Sequence, residues 1–465
     1  MTVETKPVLD GKARGFFANR DIRSVARALR DGRTSALELV RRTVESIERI
    51  NPLLNCFVSI DREGAEAAAK SLDQDMKKGR DLGLLHGIPV AIKDIIDVAG
   101  QVTTAGSGLH KNRIAASDAT CVARLRARGA VIIGKTVLHE FAFGITGDRS
   151  FHGASRNPHD PSRMSGGSSG GSAVAVGAGI VPLALGTDTA GSIRVPASLC
   201  GVVGYKPSYE AIPRDGVYPL ADSLDHVGLF TRTTEDALVS YEALIDSNLP
   251  STGLVGKPRL GWIDPSSFGP VEPVIESELL ALLGRAGFSP TAMVLEEGST
   301  LFEVLTAIQS PEAYLEHRED LRDGSALIDE EVVKRLQNGA GVPAWRYVEA
   351  MNRRELLRHK VHELFESFDL LALPTTPTVA PAIGERTPTI NGVAAEVRSA
   401  LLSLTSPWNL LGLPALSIPA GLMAGLPFGL QLICPAGREG MMFAVARTVE
   451  DAHLKRSGAM TSANI

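Results

Sequence analysis

Cysteine, aromatic residues and net charge are all scarce in this sequence. The four cysteines, Cys56, Cys121, Cys200 and Cys434, lie far apart and form no Cys-x-x-Cys pair. The sequence therefore indicates neither a disulfide framework nor a zinc knuckle. The 48 lysines and arginines nearly balance the 53 aspartates and glutamates, which leaves a formal net charge of −5. This balance gives no electrostatic reason to expect a nucleic acid or an anionic membrane as a partner.

Long uninterrupted apolar runs are also lacking. Residues 399–437 contain no Asp, Glu, Lys or Arg, but five prolines divide this segment. The resulting pieces are shorter than the roughly 20 apolar residues that a membrane-spanning helix needs. The first 20 residues carry acidic side chains and no apolar run, so we do not expect a secretion signal. With 44% hydrophobic and 22% charged residues, the composition is typical of a globular protein, which we expect in the cytoplasm.

Strand-like and helix-like segments alternate along the chain. Short apolar runs predict strands at residues 57–60, 87–93 and 130–133. Helices are predicted at residues 34–50, before an Asn-Pro pair, and at residues 61–78. This alternation predicts an α/β fold, in which a mostly parallel or mixed central sheet is covered by helices on both faces.

The sequence shows no internal repeat, linker or composition break that would mark a domain boundary. We therefore expect a single large domain at residues 21–455, preceded by a leader at residues 1–20 and followed by a tail at residues 456–465. Helical patterns dominate at about residues 235–345, which we interpret as an elaboration on this domain.

Several short motifs resemble known sites but lack the context that those sites require. Residues 129–136 match the P-loop expression, yet the variable positions are Ala-Val-Ile-Ile, which belong in a strand. Residues 166–170 match Gly-x-Ser-x-Gly, but the segment before them is polar and contains two prolines. His139 and Glu140 would begin a zinc-binding helix, but Phe143 stands where the second histidine is needed. We therefore expect no metal and no cofactor.

Three other segments together carry residues suited to hydrolysis. An apolar strand ends at Lys93, and burial there would lower the pKa of the lysine enough for it to act as a base. Ser168 lies in a run of glycines and serines, and glycine lets the backbone approach a site closely. Ser192 lies in a turn between an apolar strand and a helix. Each residue alone fits an ordinary structural role, but the ordered set of three favours catalysis.

The turn that contains Ser192, just before a predicted helix, predicts an oxyanion hole. Successive backbone N–H groups at a helix start point toward one position, where they can stabilise a developing negative charge. The residues that we expect to form this hole are Thr189, Ala190, Gly191 and Ser192.

In these segments the chain resembles the amidase signature family of serine hydrolases, and the resemblance covers most of residues 20–455. It implies an α/β fold with Ser192 as nucleophile, Ser168 as proton relay and Lys93 as base. It also implies that a cis peptide bond joins Gly167 to Ser168. The family usually has glycine at the position of Ala190, whereas allophanate hydrolases are similar to this chain in having Thr-Ala-Gly-Ser.

Three functions are consistent with this resemblance. The first is an amidase that hydrolyses the C–N bond of a carboxylic amide, for example an aryl or alkyl acylamide. The second is a carbamate or urea-type hydrolase with the same triad, which Ala190 suggests. The third is the A-type subunit of a tRNA-dependent amidotransferase. We expect a small-molecule amide or carbamate as substrate, and a monomer or a homodimer.

The substrate pocket is the least defined part of the sequence prediction. The residues that we expect to line it are Phe141, Phe143, Gly144, Ile145 and Trp408. The three aromatic side chains among them are equally consistent with an apolar core. Asp188 and Arg194 are more consistent with a buried structural pair that holds the turn in place than with substrate ligands.

Overall fold

The computed structural model of the protein describes residues 14–245, 249 and 256–457. Buried apolar runs form its strands, as the sequence predicts for a sheet covered on both faces. The strands are β1 (Phe57–Ile60), β2 (Pro89–Lys93), β3 (Val131–Thr136), β4 (Leu183–Asp188), β5 (Val203–Lys206), β6 (His226–Thr231), β7 (Leu260–Ile263), β8 (Thr291–Met293), β9 (Leu370–Pro374), β10 (Thr389–Ile390), β11 (Val393–Ala394), β12 (Ala415–Met423) and β13 (Leu426–Ile433).

Helices fill most of the segments between these strands. They are α1 (Ile22–Arg30), α2 (Ala36–Leu54), α3 (Arg62–Lys77), α4 (Thr120–Ala127), α5 (Gly170–Gly177), α6 (Arg194–Cys200), α7 (Thr234–Ile245), α8 (Pro273–Arg285), α9 (Gly298–Gly324), α10 (Glu330–Ala340), α11 (Ala344–Ser367), α12 (Val397–Ser403), α13 (Ser406–Leu410) and α14 (Glu439–Ser457). In the part of the chain that the structure describes, no helix is long and apolar enough to cross a membrane.

Eleven of the strands form one mixed sheet, in the order β1-β3-β2-β4-β6-β5-β12-β13-β9-β7-β8. The pairings of β2 with β3 and β4, and of β7 with β8 and β9, are parallel. The other pairings in this sheet are antiparallel, including the β12–β13 hairpin that turns at Ala424 and Gly425. The α/β fold with helices on both faces is thus confirmed, and the sheet is mixed rather than mostly parallel.

Alternate residues of the central strands point to opposite faces of the sheet. Val90 and Ile92 belong to the larger apolar core, whereas Ala91 between them packs into a second core with residues of α2 and α5. Because both faces are covered, the ends of β2 and β4 are withdrawn from solvent. The two strands are parallel neighbours, so their carboxyl ends lie side by side at one edge of the sheet.

Residues 14–20 pack against the domain, so the leader expected at residues 1–20 does not extend through this stretch. Phe17 is fully buried, and its N–H group donates to Gly179 O at 2.8 Å. An aromatic ring gains by leaving water, which explains why this short segment is held in place. Residues 1–13 of that leader lie outside the described residues. Of the tail expected at residues 456–465, helix α14 continues to residue 457 and the rest also lies outside them.

The region at about residues 235–345 is more than a set of added helices. Its strands β7 and β8 extend the main sheet, because β7 pairs with β9 in parallel. The P-loop-like residues 129–136 include β3, as their apolar side chains predict. Lys135 in this strand is fully buried and its Nζ atom lies 2.9 Å from Asp94 Oδ1, so its charge is already paired.

Candidate active site

Lys93 is the last residue of β2, and its side chain is completely buried at the centre of the site. Its Nζ atom lies 2.7 Å from Ser168 Oγ and 2.6 Å from Thr187 Oγ1. Thr187 is near the end of the neighbouring parallel strand β4. The sheet therefore places the amine of Lys93 directly against the hydroxyl of Ser168, as a base and a proton relay require.

Burial changes the protonation of Lys93. Loss of water lowers the pKa of this lysine to about 7, although the negative charges of Asp188 and Asp225 oppose the shift. A large fraction of the amine is consequently neutral near neutral pH. A neutral amine has the lone pair with which it can accept a proton from Ser168.

Ser168 is held by backbone contacts rather than by its side chain alone. The peptide bond between Gly167 and Ser168 is cis, as the family resemblance implies. The carbonyl oxygen of Ser168 accepts a hydrogen bond from His139 N at 3.0 Å. A Cβ atom on Gly167 would lie 2.8 Å from the backbone nitrogen of Gly147, so only glycine fits there without movement.

Ser192 lies in the turn that connects β4 to α6. It is 5% exposed, and its carbonyl oxygen accepts a hydrogen bond from Ser169 N at 3.3 Å. Ser169 Oγ in turn donates to Thr187 O at 3.0 Å. These bonds join the Ser192 turn to the segment that carries Ser168, so the structure brings all three predicted triad segments together.

The turn before Ser192 has donors available for an oxyanion. The N–H groups of Ile193 and Arg194 donate to Asp188 Oδ2 at 3.1 and 3.4 Å. Within the described part of the chain, the N–H groups of Ala190, Gly191 and Ser192 have no acceptor. Unsatisfied N–H groups at the start of a helix are suited to stabilise a negative oxygen.

Side chains from distant segments fix this turn. Thr405 Oγ1 donates to Ala190 O at 2.8 Å, and Thr189 Oγ1 donates to Asp225 Oδ1 at 2.6 Å. Gly191 has a φ of 146°, and a Cβ atom there would lie 2.2 Å from Thr405 Oγ1. Glycine is therefore required at position 191 by both backbone conformation and space.

Asp188 and Arg194 form a fully buried ion pair with an N–O distance of 2.9 Å. Burial alone would raise the pKa of Asp188, but the positive charge of Arg194 holds it well below its usual range. Arg194 also donates to Thr405 O at 2.7 Å and to Gln431 Oε1 at 2.8 Å. With all of its bonds made inside the protein, this pair is a structural clamp on the turn, consistent with the interpretation favoured from the sequence.

A narrow slot with a cavity volume of about 10 Å³ adjoins Ser192. It contains three of the predicted pocket residues, Phe143, Gly144 and Ile145, together with Thr189, Ala190 and Ser192. Besides Ala142, which neighbours the predicted residues, three of its lining residues were not predicted from the sequence. These are Gln309 of α9, Arg398 of α12 and Leu402 of α12, which lie far along the chain from the triad and belong to no recognisable motif.

The other two predicted pocket residues lie elsewhere. The Phe141 ring is fully buried and lies 4.4 Å from the ring of His317. Trp408 is also fully buried, and its indole N–H donates to Leu404 O at 2.9 Å. Neither residue lines the slot. Both belong to the apolar core, which is the alternative that the sequence left open.

A larger cavity of about 410 Å³ also borders the turn that contains Ser192 and shares Thr189 with the slot. It reaches Thr187 and Thr189, and its outer part includes Arg214, Asp222 and Tyr218. Sequence reasoning did not find this cavity, because its residues come from the irregular segment between β5 and β6. In the described residues, no group of three or more His, Cys, Asp or Glu side chains is arranged to hold a metal ion.

A buried lysine, two serines and a turn with free N–H groups are the kinds of group that serine hydrolases use. The Amidase family profile matches residues 38–254 and 285–443. The chain therefore belongs to the amidase signature family, whose members are hydrolases that act on C–N amide bonds. The resemblance stated from the sequence is confirmed.

Individual relatives cover nearly the whole chain. AtzE of Pseudomonas sp., a 1-carboxybiuret hydrolase subunit, is 35% identical over 93% of this chain and 98% of its own length. The A-type subunit of the glutamyl-tRNA(Gln) amidotransferase of Picosynechococcus sp. is 34% identical over 93% and 97%. A solved structure described as an amidase superposes with a TM-score of 0.88 at 34% identity, covering 93% of this chain and 99% of that one. A bacterial aryl acylamidase shares the fold, with a TM-score of 0.84 at 23% identity over 94% and 96%.

Proposed function

We propose that this protein hydrolyses the C–N bond of a small amide through an acyl-enzyme on Ser192. The observation that carries the proposal is the 2.7 Å contact between Lys93 Nζ and Ser168 Oγ, which belong to two fully buried residues. A serine hydroxyl needs a base before it can attack a carbonyl carbon. The neutral amine of Lys93 supplies that base, and Ser168 extends its reach to Ser192.

In the acylation step, Ser192 Oγ forms a bond to the substrate carbonyl carbon. Its proton passes to Ser168 Oγ, while the proton of Ser168 passes to Lys93 Nζ. The N–H groups of Ala190, Gly191 and Ser192 stabilise the resulting oxyanion. The C–N bond then breaks, and the leaving nitrogen receives the proton that Lys93 returns through Ser168.

Deacylation repeats this route with water as the nucleophile. Water loses a proton through Ser168 to Lys93 and attacks the ester carbonyl carbon. The bond to Ser192 Oγ breaks, and the serine recovers its proton. The products are a carboxylic acid and an amine or ammonia, and the enzyme returns to its initial state.

Replacement of Ser192 by alanine tests this assignment. We expect Ser192→Ala to lose more than about 10³-fold in kcat on simple amides, because no acyl-enzyme can form. Ser240→Ala is a matched control, since it removes a buried serine hydroxyl that has no partner in the described structure. Mass spectrometry of parent enzyme treated with a serine-reactive fluorophosphonate should locate the label on Ser192. Turnover by Ser192→Ala within tenfold of the parent would remove Ser192 from the nucleophile role.

A carbamate or urea-type hydrolase is the second candidate. It is favoured by Ala190, which lines the slot beside Ser192, and by the similarity to the 1-carboxybiuret hydrolase protein AtzE. Ala190→Gly removes one methyl group from this wall, and a methyl group in a pocket contributes about 1–3 kcal/mol of discrimination. We expect the substitution to change the ratio of kcat/KM for a matched anilide and phenylcarbamate. An unchanged ratio would show that Ala190 does not select between these substrates.

The relatives' names also bear on assembly, because both AtzE and the amidotransferase protein are called subunits. We propose that this chain hydrolyses amides as a monomer or homodimer without another protein. Assay of the purified chain, together with its mass in solution, tests this point. Activity that appears only after a second protein is added would favour the function of one component in a larger complex.

A further inference from the structure

Arg398 is a partly buried cation that forms no ion pair in the described structure, and it lines the same slot as Ser192. Its Nη2 atom donates to Gln309 Oε1 at 3.1 Å. Its Nε atom is shielded from solvent and has no hydrogen-bond partner in the described structure. A buried donor without an acceptor is costly, and a buried charge without an opposite charge is more so. An arginine side chain without an ion pair that lines the slot beside Ser192 therefore indicates an anionic ligand in that slot.

No neighbouring carboxylate pairs directly with the guanidinium of Arg398 in the described structure. The carboxylate of Glu396 accepts the N–H groups of Arg398 and Ser399 at 2.9 and 2.7 Å, where it caps helix α12. Glu331 is 3.1 Å from Arg335, whose Nη1 atom also donates to Phe143 O at 2.7 Å. By contrast, the buried guanidinium of Arg194 has a carboxylate at 2.9 Å. The guanidinium of Arg398 thus lacks a directly paired carboxylate in the described chain, although the charge of Glu396 acts on it from nearby.

The guanidinium of Arg398 is also held in position. Its central carbon lies 5.7 Å from the ring centres of both Phe143 and Phe302. Burial and the nearby charge of Arg335 lower the pKa of Arg398 to about 10, so it stays protonated at neutral pH. A guanidinium is planar and its N–H donors match the geometry of a carboxylate.

The two cavities beside the catalytic turn differ in charge. The larger cavity contains Glu210, Asp215 and Asp222, and its Arg214 already pairs with Asp222 at 3.0 Å. This acidic side repels an anion and suits an amine or ammonium leaving group. It also has the room that a departing group needs. An anionic end of the substrate is therefore favoured in the small slot that contains Arg398.

We propose that Arg398 binds a carboxylate on the acyl portion of the substrate, so that the preferred substrates are monoamides of short dicarboxylic acids or their carboxylated analogues. This inference rests on the proposed function, because it takes Ser192 as the point of acylation. The slot is small. It therefore favours substrates in which at most two carbon atoms separate the scissile carbonyl group from the carboxylate. Arg398 contacts substrate and is a binding residue in this proposal.

Hydrolysis of matched acid and neutral amides tests the proposal. Oxamate, malonamate and succinamate are compared with isobutyramide, isovaleramide and 4-methylpentanamide, in which an isopropyl group replaces the carboxylate. We expect the parent to prefer at least one acid over its neutral partner by more than tenfold. Arg398→Gln should lower kcat/KM for that acid by about 10- to 100-fold and leave the neutral amide within about threefold. Arg398→Lys keeps the charge and should retain part of the preference.

Arg358→Gln is the control variant, because Arg358 is an exposed residue of α11 that pairs with Glu355. It should leave both rates unchanged. Circular dichroism and thermal unfolding confirm that each variant is folded. A parent that prefers the neutral amides, or an acid preference that survives in Arg398→Gln, would overturn the proposal.

Binding to Ser192→Ala separates this proposal from the proposed catalytic mechanism. Calorimetry should detect oxalate, malonate or succinate binding to Ser192→Ala, and the double variant with Arg398→Gln should lose it. Absence of binding by all three dicarboxylates would refute the carboxylate site. Full turnover by Ser192→Ala would instead refute the acyl-enzyme, while dependence of acid binding on Arg398 would still support the site.

Discussion

Lys93 shows how the position of one residue sets its chemistry. Its amine is completely buried at the end of β2, and burial lowers its pKa to about 7. Because only the neutral amine can accept a proton, we expect kcat/KM to rise with pH through about 7 and then to level off. A pH–rate profile between about pH 5.5 and 9 measures this. A profile that is flat over this range would contradict a base with such a pKa.

The variant Lys93→Arg separates the base role from simple charge. An arginine stays protonated throughout this pH range, so we expect a loss of more than about 10³-fold at every pH. Lys135→Arg is less suitable as a control, because Lys135 is also buried and pairs with Asp94 at 2.9 Å. Lys70→Arg changes an exposed lysine on α3 and should keep the parent profile.

At the scale of elements, the strands and helices that local patterns predict each correspond to an element of the structure. The strand predicted at residues 57–60 is β1, and the helix predicted at residues 61–78 is α3 with bounds one residue inside. The helix predicted to stop before Pro52 instead continues as α2 to Leu54, with Pro52 inside its last turns. Tertiary packing explains the difference, since Ile50 and Leu54 are both buried against the core.

The catalytic turn between β4 and α6 depends on an element that is distant in sequence. Thr405 directly precedes α13, and its Oγ1 atom donates to Ala190 O at 2.8 Å. Thr405→Val removes this bond, so the turn should lose its fixed position. We expect kcat to fall about 10- to 100-fold, with a loss of about 1 kcal/mol in the free energy of unfolding. Kinetics and denaturant unfolding measure the two effects.

Thr405→Ser is the matched variant, because it keeps the hydroxyl group and removes only a methyl group. It should restore most of the activity that Thr405→Val loses. Equal activity of the valine variant and the parent would show that the turn holds its shape without Thr405.

At the scale of the whole molecule, the sequence predicted those site residues that lie in short recognisable motifs. It did not predict site residues that only the folding of distant segments brings to the site. Lys93, Ser168 and Ser192 each lie in a short segment with a recognisable pattern, and the structure brings those segments together. Arg398 and Gln309 carry no such pattern, and only the packing of α9 and α12 near the turn places them in the slot. The mixed sheet was likewise unpredictable in detail, because strand order depends on contacts between residues far apart in the chain.

Two carboxyl groups, that of the buried Asp236 and that of the partly buried Glu450, connect α1, α7 and α14. Asp236 Oδ1 accepts Ile22 N at 2.9 Å, and Glu450 accepts Thr234 N at 3.1 Å. Burial raises the pKa of each carboxyl to about 7, although these N–H bonds oppose the shift. The folded protein therefore binds more protons than the unfolded chain between about pH 4 and pH 7. Their contribution to stability is fully present below about pH 4 and is lost as the pH rises through about 7.

Substitution of these two groups by amides makes this dependence measurable. The amide side chains in Asp236→Asn and Glu450→Gln cannot ionise. These variants therefore avoid the loss of stability that the parent shows at higher pH. Relative to the parent, we expect each variant to become more stable between about pH 5 and pH 8, by about 2–3 kcal/mol at most. Denaturant unfolding at several pH values gives the difference, with Glu45→Gln as a control at an exposed carboxylate. A difference between variant and parent that does not change with pH would mean that both carboxyl groups are already ionised in the folded protein at about pH 5.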